Sequence, residues 1–221
     1  MKTLQRWFSR RGALPLTCYL AAVALWLVLG AVHWGSDALA RSAGTMYEAE
    51  IPVTDWQLAG LTDAGSTAES AALTTTDGDP QMILEDVSGM VVRTVSYAVE
   101  FDGDAREMCL YYTTQVGQDY SQDRRVFPES LGDGRYLYTL PRTTIVALRL
   151  DPCSPDANKT VGLTFTPGTI TLNAPETLPA VWQYFVPNWY QAFCLVLYPA
   201  LAAAAFSWLR AVWRTLRRKS A

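Results

Sequence analysis

One histidine, His33, serves a chain of 221 residues, and it stands at the end of a long apolar run. Nucleophilic catalysis by serine or cysteine needs a base within hydrogen-bond reach. The polar middle of the chain offers no imidazole for that role. There is no Gly-rich phosphate loop and no Cys/His cluster with zinc spacing. Carboxylates number 21, so chance pairs are expected. A glycosidase needs two at a defined separation, which a sequence does not display. The residues therefore read as a protein that is not an enzyme and uses no cofactor. Asp77-Gly78-Asp79 and Asp102-Gly103-Asp104 put oxygen ligands in loops, as calcium prefers. Neither grows into an EF-hand loop, and turn chemistry accounts for both. No metal site is assigned.

Recognition chemistry has better material. Exposed aromatic rings stack on sugar rings, and guanidinium groups donate to hydroxyls. Tyr120 lies in the polar loop 117–125 and reads as exposed, with Arg124 and Arg125 close in sequence. Tyr112 ends an apolar segment. These four are the candidate ligand-binding residues. Tyr136 and Tyr138 recur at alternate positions and read as core or cross-strand packing. Cys109 and Cys153 fall where oxidation is possible, so they form a bridge or remain two buried thiols. Both alternatives stay open, because sequence gives no distance.

The elements around these residues are ordered by charge. All 21 acidic residues lie between two apolar runs, 13–34 and 189–209. The outer flanks are only basic: Lys2, Arg6, Arg10 and Arg11 before, Arg210, Arg214, Arg217, Arg218 and Lys219 after. Residues 37–187 hold nine Lys/Arg against 21 Asp/Glu, a formal charge of −12. An uncharged run of about 20 residues crosses a ~30 Å hydrocarbon core, and Lys/Arg-rich flanks stay cytoplasmic. The sequence predicts a two-pass plasma-membrane protein with both termini in the cytoplasm and residues 37–187 outside. Its parts are basic tails 1–12 and 210–221, spans 13–34 and 189–209, a stalk 35–49, a folded domain 50–178 and a juxtamembrane segment 179–188. Ala38-Leu39-Ala40 also offers a signal-peptidase site, which would leave a single span. Trp189, Tyr190, Trp208 and Trp213 bracket the second run, as interfacial aromatics do. Pro199 interrupts it, and the small residues 202–205 could admit a second helix. The acidic middle argues against nucleic acid, which needs clustered Lys/Arg. The basic tails suit anionic lipid.

Within the middle segment, short β-rich stretches recur every 8–12 residues, and no helical period appears. Val95, Tyr97, Val99 and Phe101 alternate with Ser96, Ala98 and Glu100. The stretch 143–150 is apolar enough for a central strand buried on both faces. Pro152 ends it, because proline cannot donate to a central ladder. Asp151 is expected to cap the turn that follows, accepting backbone N–H bonds. Asn158-Lys159-Thr160 is a glycosylation sequon, relevant only in a eukaryote. The pattern predicts an all-β antiparallel sandwich flanked by two transmembrane α-helices.

Several short motifs sharpen that reading. They are Trp56-Gln57-Leu58, the segment 73–84 (LTTTDGDPQMIL), 92–99 ahead of Leu110-Tyr111-Tyr112, 148–152 (LRLDP) and 160–172. Together they resemble the jelly-roll, galactose-binding-like sandwich of bacterial membrane proteins that synthesise cell-surface polysaccharides. The resemblance covers about 120 residues. It implies a jelly-roll fold, a glycan or lipid-linked sugar as ligand, and a glycosyltransferase or other polytopic membrane protein as partner. The sequence departs from the family in two ways. Cys153 follows Asp-Pro where glycine is usual, and no transferase or multi-span region is present. The resemblance thus implies an accessory or binding role in the cell envelope. A purely structural interaction module without sugar binding is the alternative.

Overall fold

A computed structural model describes residues 13–67, 69–156 and 159–219. The basic tail 1–12, the sequon's Asn158, and Ser220 and Ala221 lie outside the described residues. The chain separates into two compact units. Met1–Asp37 and Pro179–Ala221 make one, and Ala38–Leu178 makes the other.

Two helices dominate the first unit, α1 (Ala13–Ser42) and α2 (Trp189–Lys219). Both are long and apolar enough to cross a membrane. Helix α1 runs on through residues 35–42, into the segment expected to be a stalk. Ala38, Leu39, Ala40 and Arg41 are good helix formers, and Asp37 is buried under a hydrogen bond from the Tyr184 hydroxyl (2.8 Å). The helix stops where Gly44 takes φ +70° and the backbone N–H groups of Ala43, Gly44 and Thr45 cap its last carbonyls. Helix α2 continues through Pro199. At its start, Asn188 and Gln191 each accept the other's backbone N–H at 2.8 Å.

The second unit is an antiparallel β-sandwich. Among the described residues its thirteen strands form two sheets. The larger contains β1 (Ala49–Pro52), β3 (Leu61–Asp63), β4 (Ala71–Thr75), β6 (Thr94–Asp102), β9 (Glu129–Gly132), β10 (Arg135–Thr139), β12 (Gly162–Phe165) and β13 (Thr169–Leu172). The smaller runs in the order β2 (Gln57–Ala59), β5 (Gln81–Leu84), β11 (Leu148–Asp151), β7 (Cys109–Tyr112) and β8 (Arg125–Val126). Every pairing is antiparallel.

Strand β6 organises the larger sheet. Its first half pairs with β10 on one side and β13 on the other, and its second half pairs with β12. The expected alternation is realised: Val95, Tyr97 and Val99 are buried, Phe101 is packed at the core margin, and Glu100 is exposed. The stretch 143–150 is strand only at its end, as β11. Before that it is held by irregular bonds, with Val146 N donating to Thr113 O and Thr113 N to Ala147 O. Strand β11 is nevertheless central, between β5 and β7, and stops before Pro152.

The core between the sheets contains Leu148, Leu150, Leu110 and Met82 from the smaller sheet and Phe165, Tyr138 and Ile170 from the larger. Asn173, with φ 54°, ties the sandwich's entry to its exit. Its side chain donates to the carbonyls of Tyr47 and Val91 and accepts from Arg93 N.

Candidate functional site

Strand β11 reads Leu148-Arg149-Leu150-Asp151, and side chains on a strand alternate between faces. Leu148 and Leu150 enter the core without exposure. Arg149 and Asp151 must therefore share the outer face. There Arg149 Nε donates to one Asp151 oxygen and Nη2 to the other, both at 2.7 Å. This fork geometry is the strong form of the guanidinium–carboxylate pair. A second carboxylate, Asp79, accepts from Arg149 Nη2 at 3.3 Å. The pairing register sets Tyr111 opposite Arg149, Cys109 opposite Asp151 and Arg125 opposite Tyr111.

The result is a row of charged and aromatic side chains across the outer face of the smaller sheet. The Arg149 guanidinium lies 5.0 Å from the centre of the Tyr111 ring and 6.0 Å from that of Tyr120, within cation–π range. Arg125 binds Glu107 at 3.2 Å and covers the Phe127 ring at 4.7 Å. Apart from Phe127, these groups border a cavity of about 330 Å³, completed by Gln122, Cys153 and Ser154. A second cavity, about 560 Å³, borders Gln57, Glu85, Asp86, Gln118 and, again, Tyr120.

Electrostatically the smaller cavity mixes signs. Arg125 and Arg149 face Asp79, Glu107 and Asp151. Burial pushes the Asp151 carboxyl above its ordinary value, and the bonds from Arg149 pull it back only in part. Burial pulls Arg149 down, but its hydrogen bonds and charge attraction to Asp151, together with Asp79 and Tyr111, hold it above its ordinary value. Burial also raises the Tyr111 and Tyr120 phenols, so both rings stay neutral and their hydroxyls keep their protons. Burial raises Cys109, and it pushes the Cys153 thiol up to about 12. Both cysteines are free thiols. The bridge left open from sequence is not formed, and Cys109 Sγ instead points at the Asp151 carboxylate, 3.9 Å away.

Of the four residues singled out from sequence, two meet in this cavity: Tyr120 and Arg125. Tyr120 is half-buried rather than exposed, because its hydroxyl reaches back to the Leu148 carbonyl (3.4 Å). Arg124 points elsewhere and donates to the Asp119 carbonyl at 2.6 Å. Tyr112 packs against the core, as expected for a residue one step out of phase with Tyr111. Tyr138 is fully buried and Tyr136 partly so. Asp151 does not cap the following turn; Arg149 claims both of its oxygens. The reading from sequence missed Arg149, Tyr111, Asp79 and Glu107. The signal for the first was present, since two charged residues alternating with two leucines define a face. Among the described residues no cluster of His, Cys, Asp and Glu could hold a metal ion.

No protein-family model and no curated protein matches this sequence. Solved structures give distant likenesses. One is a low-affinity xylan-binding module from Roseburia intestinalis, 14% identical over 60% of this chain and 99% of the module, with a TM-score of 0.37. Another is a family 6 carbohydrate-binding module of Clostridium stercorarium in complex with cellobiose, 9% identical over 56% and 92%, TM-score 0.35. A third is a family 32 module of C. perfringens NanJ in complex with galactose, 8% identical over 54% and 98%, TM-score 0.34. At these scores the sandwich assignment rests on its own strand order and register.

Proposed function

We propose that the chain is a membrane-anchored glycan-binding protein of the bacterial cell envelope. Its two helices hold the sandwich outside the plasma membrane, with both termini cytoplasmic, and its cleft presents to surface-polysaccharide assembly a site for a glycan or lipid-linked sugar. The observation that carries this reading is the Arg149 guanidinium, fixed by two carboxylates and flanked by the Tyr111 and Tyr120 rings at a polar cavity. A polyhydroxyl ligand needs that combination: flat apolar faces for ring carbons, with donors and acceptors already oriented for hydroxyls. Catalysis has no comparable support.

The test is calorimetric titration of the full chain in nanodiscs with the neutral oligosaccharides that score on a glycan array. Tyr120→Ala is expected to weaken binding about tenfold, equivalent to ~1.4 kcal/mol, with the sandwich still folded at the titration temperature. A wild-type protein that binds nothing on the array would overturn the proposal. Protease protection on intact cells tests the orientation: digestion of both tails with the middle protected would reverse it.

One observation favours the interaction-module reading as the second choice. Between α1 and α2 lies an apolar cavity of about 580 Å³ bordered by the small residues Ala21, Ala22, Cys194 and Ala202. Such a surface admits a helix of a polytopic partner at close range. Co-purification of one stable membrane partner, with no sugar bound, would select it.

A further inference from the structure

The segment between the sandwich and α2 packs beside the apolar stretch of α1. Trp26 Nε1 donates to the Phe185 carbonyl at 3.0 Å. Gly30 faces the Tyr184 carbonyl oxygen so closely that a Cβ would stand 2.6 Å from it. Trp26 precedes Trp34, the end of the apolar run, by eight positions. At ~1.5 Å per residue that is about 12 Å along the helix. The Phe185 backbone is therefore level with α1's apolar stretch and well short of its polar end.

Two further features match that depth. First, polar groups of the segment are satisfied within the unit, as surroundings poor in water demand. Gln183 N, Phe185 N and Val186 N donate to carbonyls of Ala180 and Trp182. Ala180 N donates to Gln183 Oε1, and the Tyr184 hydroxyl to Asp37. Second, the outward side chains are apolar. Val181, Trp182 and Val186 are each more than half exposed, continuous in sequence with the exposed Trp189 and Tyr190.

We infer that residues 179–188 form an interfacial wedge, with Val181, Trp182 and Val186 seated in the lipid of the leaflet next to the Trp189 end of α2. Trp26, Gly30 and Asp37 of α1 hold it there. The wedge turns a two-helix anchor into one with a third, monotopic contact, of the kind tryptophan favours at the headgroup level. It rests on the reading that α1 and α2 cross the membrane, and the experiment separates the two.

The full chain carrying Trp182→p-benzoylphenylalanine is reconstituted in phosphatidylcholine vesicles, irradiated and analysed by mass spectrometry. The same photoprobe at Leu25, on α1, and at Val116, on the sandwich, provides the controls. Lipid adducts are expected at positions 182 and 25 and not at 116. Adducts at 25 without any at 182 would overturn the wedge and leave the spans standing. Absence at both would overturn the spans and the wedge together. A second measurement needs no unnatural residue. Lipids brominated near the glycerol should quench a fluorescence component that Trp182→Phe removes; identical quenching of both proteins would count against the wedge.

Discussion

Tyrosine is used in two opposite ways in this sandwich. Between the sheets, Tyr97 and Tyr138 stack with ring centres 6.0 Å apart and join their hydroxyls at 3.0 Å. Phe165 closes the group at 5.5 Å from Tyr97. On the outer face of the smaller sheet, Tyr111 and Tyr120 flank a guanidinium instead of one another. The first pair satisfies its own polar atoms and so can be sealed away from water. The second borders a cavity, held in place by a charge network. The buried, self-satisfied pair is placed to stabilise the fold; under the proposed function the propped, open pair serves recognition. The experiments below separate the two roles.

The core pair should show the largest effect. Tyr138→Ala removes a fully buried ring, and by analogy with other large aromatic truncations should cost about 3–5 kcal/mol. Urea unfolding of the sandwich measures it, and a loss below ~1 kcal/mol would remove Tyr138 from the core. Arg149→Ala comes next. It strands the Asp151 carboxylate with only part of its hydration, and because the pair retains some exposure the cost should be about 2 kcal/mol, less than for a fully buried pair. It should also abolish glycan titration, which no change in the core pair should do while the fold survives. Arg149→Lys keeps the charge and loses the fork, so partial recovery of stability without recovery of binding is expected.

Smaller still is the effect of single hydroxyls. Tyr97→Phe leaves the Tyr138 hydroxyl buried without its partner, costing about 1–2 kcal/mol. The double change to phenylalanine should restore most of that loss, and a double-mutant cycle reads the coupling directly. Simple additivity would show that the two hydroxyls do not depend on each other. The smallest effect concerns acid. Side-chain and backbone hydrogen bonds from Ser66 and Ser88 hold Asp63 and Asp86 below the ordinary carboxylate value, and Lys159 and Arg106 do the same for Asp156. Their stabilisation is present above the unfolded carboxylate value near pH 4 and is lost as pH falls through the depressed folded values. Asp151 has the opposite sign, since its raised value favours the folded state at lower pH and that contribution fades as pH rises past it. Melting temperature followed from pH 5 to pH 2 should therefore fall less in Asp63→Asn than in the parent protein.

Much of the fold was legible because strands announce themselves by period. The alternation from Val95 to Phe101 identified β6, and Pro152 marked the end of β11. The site was legible only in part. Tyr120 and Arg125 stood out because they lie in a polar stretch, where any aromatic or cation is conspicuous. Arg149 and Asp151 did not, because residues 143–150 read as a uniformly buried run and Asp-Pro read as turn chemistry. Cross-strand neighbours such as Tyr111 and Glu107 depend on register, which a single sequence does not state. The helical continuation to Ser42 escaped notice because a polar stretch beyond an apolar run looks like a linker until Tyr184 is seen to satisfy Asp37.

Among the described residues, strand β1 pairs with β13 alone, Ala49 opposite Leu172. In a chain made from its N-terminus onward, that edge stays open until the far end of the domain has emerged. At ~5–20 residues per second the interval is about 6–25 s. For that time Ala49–Pro52 is an unsatisfied strand edge, open to pairing with other chains. A chaperone or a slow-acting protease would meet the newborn protein in this window, and the domain's yield in the cell would depend on how quickly synthesis carries it past Leu172.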